Sequence, residues 1–235
     1  MRTAIVTGAS RGFGLALARK LAEDDWNLVI DARHRPELIQ GSEGLDVTGR
    51  GTIDPLDGDA SDAGHLEQLV DASDRLGGLD LLVNNAGSLG PSPLPRLSAY
   101  PVRELLDVFR VNVVAPLRLI QMALPSLRDR RGTIVNITSD AAVEAYEGWG
   151  GYGSSKAALE QISNVIAVEE DSVRVMWFDP GDMATKMQQD AYPVEDISDR
   201  SNPETRAPAL IRLLESDAAS GRYTAEEILA RRVSA

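Results

Sequence analysis

The chain has 235 residues, 43% of them apolar and 26% charged, which is enough for one globular domain spanning residues 1–235. Its net charge of −12 argues against nucleic acid or an anionic membrane as a partner. The sequence contains no cysteine, which excludes disulfides and thiolate chemistry. It also contains no apolar run long enough for a membrane span. Residues 1–10 lack the pattern of a secretion signal, so the expected location is cytoplasmic.

The first predicted strand and helix are joined by a glycine-rich turn. Residues 3–7 are apolar and β-branched, and apolar positions in residues 15–22 repeat with helical periodicity. Between them stands Gly-Ala-Ser-Arg-Gly-Phe-Gly, residues 8–14. Such glycines let the backbone approach a pyrophosphate, and the following helix N-terminus offers it unpaired N–H groups. The turn predicts phosphate binding, although tight turns also need glycine for conformational reasons.

The second predicted strand, residues 27–31, should end near the ribose of a bound adenosine. Arg33 and Arg35, together with Arg11 in the glycine turn, suit a 2′-phosphate, because guanidinium groups bind phosphate through two hydrogen bonds. Asp31 favours the opposite choice, since a carboxylate would bond a free 2′-hydroxyl and repel a phosphate. Plain solvated charge is the alternative interpretation of the arginines.

The next stretch gives weaker patterns. Residues 36–52 predict a short helix or loop, and a third strand is expected near residues 51–56, although Pro55 is unfavourable inside a sheet. Residues 59–62 resemble the end of that strand and the cap of a helix. The two histidines, His34 and His65, stand in no metal-ligand spacing, so we interpret each as a surface or boundary residue and expect no metal.

A fourth strand is predicted at residues 79–83, and it ends in Asn-Asn-Ala-Gly. Small and amide side chains there suit an edge that faces a ligand, but also a simple turn. After a proline-rich loop, residues 102–128 predict a long helix that contains Pro116. Proline has no N–H, so the carbonyl of Asn112 loses its helical partner. The helix should either bend beside Asn112 or break in two.

The last third of the chain combines two strands with a tyrosine–lysine pair. Residues 132–138, which end at Ser139, and residues 173–178 predict buried strands. Tyr152 and Lys156 lie between them, four residues apart and on one face of a predicted helix. A nearby ammonium favours phenolate and would lower the pKa of the phenol from about 10 towards neutrality. The alternative is an exposed aromatic beside a solvated lysine.

Strands and helices alternate, which predicts an α/β fold with a doubly wound parallel sheet and helices on both faces. Ligands of such sheets bind outside the carboxyl ends of the strands. Five residues fall at those ends: Gly8, Asp59, Asn84, Ser139 and Pro180. This convergence indicates one site. The polar segment of residues 186–208 is a candidate lid over a substrate.

Taken together, these motifs resemble the short-chain dehydrogenase/reductase family over roughly residues 2–185. Residues 7–14 are similar to the family's T-G-x-x-x-G-x-G motif and residues 84–87 to its N-N-A-G motif. Pro180-Gly181 and Thr185 are similar to its P-G segment and to a threonine that contacts nicotinamide. Four residues match the catalytic tetrad in order and spacing: Asn112, Ser139, Tyr152 and Lys156.

The resemblance implies a Rossmann-type fold and hydride transfer between a nicotinamide nucleotide and a small carbonyl or alcohol. It implies that Tyr152 is the general acid in reduction and the base in oxidation, and that Ser139 holds the substrate oxygen. Lys156 would lower the pKa of the phenol, helped by the positive charge of oxidised nicotinamide, and bind the ribose. The backbone carbonyl of Asn112 would anchor a water.

The resemblance also implies the cofactor contacts. In the family, NAD users tend to carry an acid at the position of Ala32, whereas NADP users carry basic residues at those of Arg33 and Arg11. Asp31 lies one place earlier and should point to the other side of the strand, so NADP(H) is favoured over NAD(H). The expected contacts are Gly8, Ser10, Arg11, Gly12, Phe13, Gly14, Arg33, Asp59, Ala60, Asn85, Ala86, Gly87, Tyr152, Lys156, Pro180, Gly181, Met183 and Thr185.

Other functions remain open. A nucleotide-sensing regulator could keep the fold without turnover, but such relatives usually lose the tyrosine or lysine that this chain retains. An NAD-dependent alcohol dehydrogenase is another alternative, and an epimerase or dehydratase would usually need a longer substrate domain. Five side chains could line an apolar substrate pocket or simply pack in the core: Tyr146, Trp149, Met183, Met187 and Tyr192.

The end of the sequence departs from the family pattern. The family usually closes with a strand and an Asp-Gly-Gly-like turn, whereas here residues 221–224 precede a predicted helix. The usual tetramer interface is built at that end, so this departure puts it in doubt. We expect a homo-oligomer, either a tetramer or a dimer through two long helices.

Overall fold

The computed structural model describes residues 1–45 and 50–230. These residues form a parallel sheet of seven strands in the order β3-β2-β1-β4-β5-β6-β7. The strands are β1 (Thr3–Val6), β2 (Asn27–Ala32), β3 (Ile53–Asp57), β4 (Leu81–Asn84), β5 (Thr133–Ile137), β6 (Arg174–Asp179) and β7 (Gly221–Thr224). The helices are α1 (Gly12–Glu23), α2 (Arg35–Glu43), α3 (Ala63–Arg75), α4 (Val102–Phe109), α5 (Ala115–Arg130), α6 (Gly150–Glu169), α7 (Lys186–Ala191), α8 (Pro203–Glu215) and α9 (Ala225–Ala230).

Helices cover both faces of the sheet, which confirms the predicted doubly wound fold. Successive side chains of a strand point to opposite faces, and β1 shows this directly. Ala4 and Val6 pack into a core with α1, α8 and α9, whereas Ile5 packs into a second core with α3, α5 and α6. The inner strands β1, β2, β4, β5 and β6 are mostly apolar because both of their faces are covered, whereas the edge strands β3 and β7 are only partly buried. None of the helices in the described ranges has the length and apolar character needed to cross a bilayer.

The edges of the sheet explain two differences from the sequence patterns. Pro55 lies inside β3, where it is tolerated because β3 is an edge strand that pairs with β2 alone. At the other edge, Gly221–Thr224 forms β7, parallel to β6, and α9 follows as predicted. The sequence analysis identified the helix but not this strand. Residues 46–49, which belong to the segment interpreted as a short helix or loop, lie outside the described residues, as do residues 231–235.

The long helix continues past Pro116 rather than breaking. Between α4 and α5, residues Arg110–Val114 form a single π-helical turn, in which the N–H of Ala115 donates to the carbonyl of Arg110. Such turns accommodate an extra residue in an α-helix and often mark functional positions. Asn112 sits within this turn and is completely buried. The structure therefore agrees with the alternative of a helix that is irregular beside Asn112.

A chain of buried side-chain amides crosses the centre of the sheet. Asn84 Nδ2 donates to Asn136 Oδ1 at 2.8 Å, and Asn136 Nδ2 donates to Ser163 Oγ at 2.8 Å. The hydroxyl of Ser163 donates in turn to the carbonyl of Leu159. Asn84 is only 3% exposed, so the interpretation of this residue as part of a ligand-facing edge is wrong. Its amide joins β4 to β5 inside the core.

We expect Asn136→Ala to lower the free energy of unfolding by roughly 2–4 kcal/mol, because it leaves a buried amide of Asn84 without its acceptor and opens a small cavity. Urea unfolding followed by circular dichroism measures this loss. The matched control is Asn164→Ala, an exposed asparagine of the same helix as Ser163, which should change stability by less than about 0.5 kcal/mol. Equal effects of the two substitutions would contradict the structural role of the amide chain.

Candidate active site

A cavity of about 960 Å³ opens at the carboxyl edge of the sheet. Eighteen of the residues assigned to the site from sequence line it: Gly8, Ser10, Arg11, Gly12, Phe13, Arg33, Asp59, Ala60, Asn85, Ala86, Gly87, Ser139, Tyr152, Lys156, Pro180, Gly181, Met183 and Thr185. Asn112 and Gly14 were assigned to the site as well, but they lie behind the wall of the cavity and do not line it. Of the five residues predicted to converge at the strand ends, Gly8, Asp59, Ser139 and Pro180 line this cavity and Asn84 does not. The site roles of Asn112 and Gly14 stay predictions.

The glycine turn forms one end of this cavity. Gly8 and Gly12 have φ angles of +67° and +59°, in the left-handed region that favours glycine. Helix α1 starts at Gly12 without a side-chain cap and without an acidic residue in its first turn. Its first N–H groups therefore remain available to an anion, and the helix dipole favours negative charge there. These features fit the pyrophosphate of a dinucleotide.

Gly14 serves the packing of this turn. A Cβ atom at Gly14 would clash with the amide of Asn85 and would lie 2.6 Å from the carbonyl oxygen of Gly8. The absence of a side chain lets α1 approach the turn closely. The structure shows this packing role, and the assignment of Gly14 to the cofactor from its place in the motif stays a prediction.

Hydrogen bonds made by Thr7 and Asn85 stabilise the glycine turn. Asn85 Nδ2 donates to the carbonyls of Thr7 at 2.8 Å and Gly8 at 3.1 Å. The hydroxyl oxygen of Thr7 accepts the N–H groups of Asn85 and Ala86, each at 3.0 Å. These bonds join the ends of β1 and β4, the neighbouring strands at which the order of the sheet reverses. Ligands of doubly wound folds bind at this switch point.

Asp31 and His65 support the turn from the side of β2. The carboxylate of Asp31 accepts the N–H of Gly8 at 2.6 Å, and its other oxygen lies 3.1 Å from Nε2 of His65. Asp31 is 1% exposed and His65 is 5% exposed. The interpretation of His65 as a surface or boundary residue is therefore wrong. Because its two oxygens are engaged by the turn and by α3, Asp31 acts as a support for the backbone.

Of the three arginines predicted to suit a 2′-phosphate, Arg11 and Arg33 line the cavity and Arg35 does not. Arg35 pairs with Asp57 at 2.6 Å, and Arg11 lies 3.7 Å from Glu37. Arg33 is exposed, and within residues 1–45 and 50–230 no acidic group comes within ion-pairing distance of it. Arg33 is thus free to bind an anionic ligand.

Tyr152 and Lys156 project from the first turns of α6 and are buried. Lys156 Nζ donates to the carbonyl of Ile137 at 2.8 Å and lies 5.5 Å from the centre of the Tyr152 ring. Trp149 packs its edge against the same ring, with centroids 5.7 Å apart. The predicted neighbourhood of phenol and ammonium is therefore present in the fold.

The pKa of Tyr152 differs from the expectation. Burial raises the pKa of this phenol above its usual value, and the carboxylates of Asp179 and Asp140 raise it further. The predicted lowering by Lys156 is thus not what the polypeptide provides. Burial also lowers the pKa of Lys156 to about 8, which weakens the lysine as a positive charge above neutral pH. Near pH 7 the phenol is protonated and can donate a proton.

The side chain of Asn112 bonds to segments that lie next to Tyr152 and Lys156. Its Nδ2 donates to the carbonyl of Ser88 and to Ser155 Oγ, both at 2.9 Å, and its Oδ1 accepts the N–H of Ser88 at 2.7 Å. The hydroxyl of Ser155 donates to the carbonyl of Tyr152 at 2.6 Å. The side chain of Asn112 therefore links the loop after β4 to the helix that carries Tyr152.

Three charged residues near Ser139 were missed by the sequence analysis. Ser139 Oγ donates to Asp140 Oδ1 at 2.8 Å. Arg222 of β7 donates to Asp179 Oδ2 at 3.2 Å and to the carbonyl of Ser139 at 3.3 Å. Asp140 and Asp179 adjoin motif residues in sequence, so their proximity could have been noticed. Arg222 lies on the strand that had no recognisable pattern.

Comparison with known proteins gives a family match across most of the chain. The family model for short chain dehydrogenases matches residues 2–196. The chain belongs to the short-chain dehydrogenase family. It is therefore an oxidoreductase, and hydride transfer is the reaction that its fold and family share.

Named relatives of this short-chain dehydrogenase include two reductases. It is 37% identical to rat sepiapterin reductase over 200 residues. This alignment covers 79% of this chain and 75% of the rat protein. It is 34% identical over 197 residues to a benzil reductase ((S)-benzoin forming) of Saccharomyces cerevisiae, covering 79% of this chain and 73% of the yeast protein. The structure of an alcohol dehydrogenase from the archaeon Thermococcus sibiricus, complexed with 5-hydroxy-NADP, superposes with a TM-score of 0.85, 28% identity and 95% coverage of both chains.

The substrate side of this short-chain dehydrogenase lies beyond Tyr152. Leu89, Ala141, Tyr152 and Ala191 form a small apolar cluster against which Trp149, Met187 and Tyr192 pack. All five side chains named as pocket candidates line the cavity: Tyr146, Trp149, Met183, Met187 and Tyr192. Tyr146 also brings a polar atom, because its hydroxyl donates to the carboxylates of Asp140 and Glu144. Within the described residues, no group of His, Asp and Glu side chains could hold a metal ion.

We expect Lys156→Met to alter the pH dependence of stability. The folded protein gives Lys156 a pKa of about 8, against the usual 10.5, so between these values the unfolded chain holds the proton that the folded chain has released. The penalty for burying the ammonium is fully present below about pH 8 and declines as the pH rises. From pH 7 to 9.5 the wild type should therefore gain about 2 kcal/mol of unfolding free energy relative to the variant. Urea unfolding across this range measures the difference, and parallel profiles would contradict it.

Proposed function

We propose that the protein is an NADP(H)-dependent reductase of small carbonyl compounds, or the corresponding alcohol dehydrogenase, in which Tyr152 is the general acid and base. The observation that carries this proposal is the position of Tyr152. The phenol is buried and protonated, it lies near the ammonium of Lys156, and both groups line the same cavity as an uncapped helix N-terminus.

In this proposal NADPH supplies a hydride to the carbonyl carbon of the substrate when it is bound. Tyr152 donates its proton to the carbonyl oxygen as negative charge develops there. Ser139, held near this oxygen by its position after β5, donates a hydrogen bond that stabilises the charge. Lys156 donates a hydrogen bond to the carbonyl of Ile137. In this proposal its ammonium group would also bind the ribose and lie near the phenol of Tyr152. In oxidation Tyr152 accepts the proton again.

The arrangement at the adenosine end supports NADP(H) over NAD(H). Arg33 has no carboxylate partner among the described residues, whereas Asp31 is engaged by Gly8 and His65. A guanidinium outside an ion pair favours the 2′-phosphate, and the carboxylate of Asp31, which could have bonded a 2′-hydroxyl, is directed elsewhere. The related archaeal alcohol dehydrogenase was crystallised with an NADP derivative, which supports the same choice.

We also propose that residues 1–235 form one domain with a substrate lid at residues 186–208. This segment contains α7, the start of α8 and Tyr192. The ring of Tyr192 packs against that of Trp149, with ring centroids 6.0 Å apart. A closing segment would shield the reacting atoms from water. The cytoplasmic location remains a prediction from the sequence.

A homo-oligomer, most simply a dimer, is proposed from the outer surface. Val102 and Leu106 of α4 are 70% and 66% exposed, and Val168 of α6 is 78% exposed. Apolar side chains exposed along neighbouring helices favour burial against a second copy. This dimer would use the two long helices and would not need the tetramer interface at the end of the chain.

We expect Tyr152→Phe to lower kcat by at least about 100-fold while nucleotide binding is kept, because the ring is retained and only the proton donor is lost. Steady-state turnover and the NADPH-induced rise in melting temperature measure the two properties separately. Tyr223→Phe, which removes a hydroxyl bonded to the carbonyl of Ala219, is the control and should keep turnover. Undiminished turnover in Tyr152→Phe would reject the proposed acid. The absence of turnover in the wild type, with binding intact, would favour the nucleotide-sensing alternative.

Arg33→Ala should weaken NADPH binding by about 10- to 100-fold and leave NADH binding nearly unchanged, since a charge-assisted hydrogen bond contributes about 1.5–3 kcal/mol. Titration calorimetry or the shift in melting temperature with each nucleotide measures this selectivity. Arg35→Ala is the matched control, because Arg35 is paired with Asp57. A stabilisation of the wild type by NADH but not by NADPH would overturn the cofactor preference.

A further inference from the structure

Asp140 is a charged residue of the cavity wall that the proposed reaction does not bring into contact with the reacting atoms. Its Oδ1 accepts the hydroxyl of Ser139 and the N–H of Ala141, both at 2.8 Å, and its Oδ2 accepts the hydroxyl of Tyr146 at 3.0 Å. Among residues 1–45 and 50–230, no lysine, arginine or histidine lies within 4 Å of this carboxylate. An anionic hydrogen-bond acceptor therefore adjoins the position proposed for the substrate oxygen.

The hydroxyl of Ser139 has one proton and two possible acceptors. In the structure it donates to Asp140, but the proposed function requires it to donate to the carbonyl oxygen of the substrate. When the hydroxyl turns towards the substrate, Asp140 Oδ1 loses a donor and keeps only the N–H of Ala141. A bound substrate that covers this carboxylate keeps water from replacing the lost hydrogen bond, and a carboxylate without that bond is destabilised. A substrate without a donor therefore binds against this penalty.

We propose that the preferred substrates carry a hydrogen-bond donor, a hydroxyl or an ammonium group, on the carbon next to the carbonyl. This inference rests on the proposed function of the same site. The donor replaces Ser139 at Asp140 while Ser139 turns to the carbonyl oxygen, so that every acceptor keeps a partner. In such compounds the donor and the carbonyl oxygen lie about one hydrogen-bond length apart, which matches the contact between Ser139 and Asp140. Asp140 is thus a specificity-determining residue.

The rest of the wall defines what the substrate carries beyond these two groups. The ring centroids of Trp149 and Tyr192 lie 6.0 Å apart and the rings are tilted relative to each other. Met187 packs beside them. These side chains offer an apolar, aromatic surface that suits an aryl or branched alkyl substituent. Lys186 lies at the rim but is paired with Asp190 at 2.7 Å, which leaves Asp140 as the uncompensated charge nearest to Ser139. The substrate class is therefore an α-hydroxy or α-amino ketone with an apolar substituent.

The test compares three ketones of one scaffold: acetophenone, α-hydroxyacetophenone and α-aminoacetophenone, whose donors are on the carbon next to the carbonyl. The ratio of kcat/KM for each donor-bearing ketone to that for acetophenone is measured with NADPH, which separates the neutral from the cationic donor. In the wild type we expect at least one ratio to exceed about 10, and in Asp140→Asn we expect that ratio to fall at least about tenfold. Glu144→Gln is the matched control, because Glu144 accepts the same Tyr146 hydroxyl at 3.0 Å but does not line the cavity. This control should keep the wild-type ratio.

Several outcomes would overturn the inference. Equal loss of kcat/KM for all three ketones in Asp140→Asn would mean that Asp140 only orients Ser139. A wild-type ratio near one, or the same fall in Glu144→Gln, would also reject it. The rise in melting temperature with NADPH confirms that each variant is folded and binds the nucleotide. Reduction of acetophenone with no preference for donors would overturn this inference and leave the proposed function intact, whereas the absence of both NADPH binding and turnover would reject the proposed function itself.

Discussion

The junction between the ends of β1 and β4 is the contact on which both halves of the site depend. Thr7 and Asn85 tie the two strands together and fix the glycine turn above them. From the same junction the chain passes to Ser88, which Asn112 holds on both its N–H and its carbonyl, and Asn112 in turn reaches Ser155 in α6. One continuous set of hydrogen bonds therefore joins the nucleotide end of the cavity to the helix that carries the reactive phenol. In the proposed function, these bonds would hold the glycine turn and this phenol in a fixed relative position, which would orient a bound dinucleotide towards the phenol.

Charge in the reactive half of the cavity is arranged to keep a proton on Tyr152. The phenol faces two carboxylates, those of Asp179 and Asp140, and its burial disfavours the phenolate further. Asp179 is itself held by Arg222 and by the N–H of Gly181, and burial raises its pKa despite these contacts. Since the polypeptide stabilises the acid form, the reductive direction requires no prior change in the site. Oxidation would need additional positive charge near the phenol before it could act as a base.

The sequence predicted what depends on local spacing, and it failed where distant residues meet. The glycine turn, the alternation of strands and helices and the pair of Tyr152 and Lys156 are encoded within short segments. The fold was therefore predicted correctly, and most of the residues assigned to the site line one cavity. His65 has the spacing of the buried face of α3, but its partner Asp31 lies 34 residues earlier, and no local pattern reveals that contact. The protonation of Tyr152 depends on burial and on carboxylates brought close by the fold, which spacing on one helix cannot indicate. Motif membership likewise placed Gly14 at the cofactor, but it did not indicate that the absence of a side chain there lets α1 pack against the turn.

The last strand of the sheet, β7, supplies contacts to residues near Ser139 that are made much earlier in the chain. Arg222 lies 83 residues after Ser139 and 43 after Asp179, and it also bonds Glu160 of α6. During synthesis, every motif residue leaves the ribosome well before this arginine does. A nascent chain that stops short of β7 has its glycine turn, tyrosine and lysine, but the carboxylate of Asp179 lacks its cation and the backbone of Ser139 lacks one of its contacts. The edge of the sheet is therefore completed only after Arg222 has been synthesised, later than every residue of the glycine turn and of the tyrosine–lysine pair.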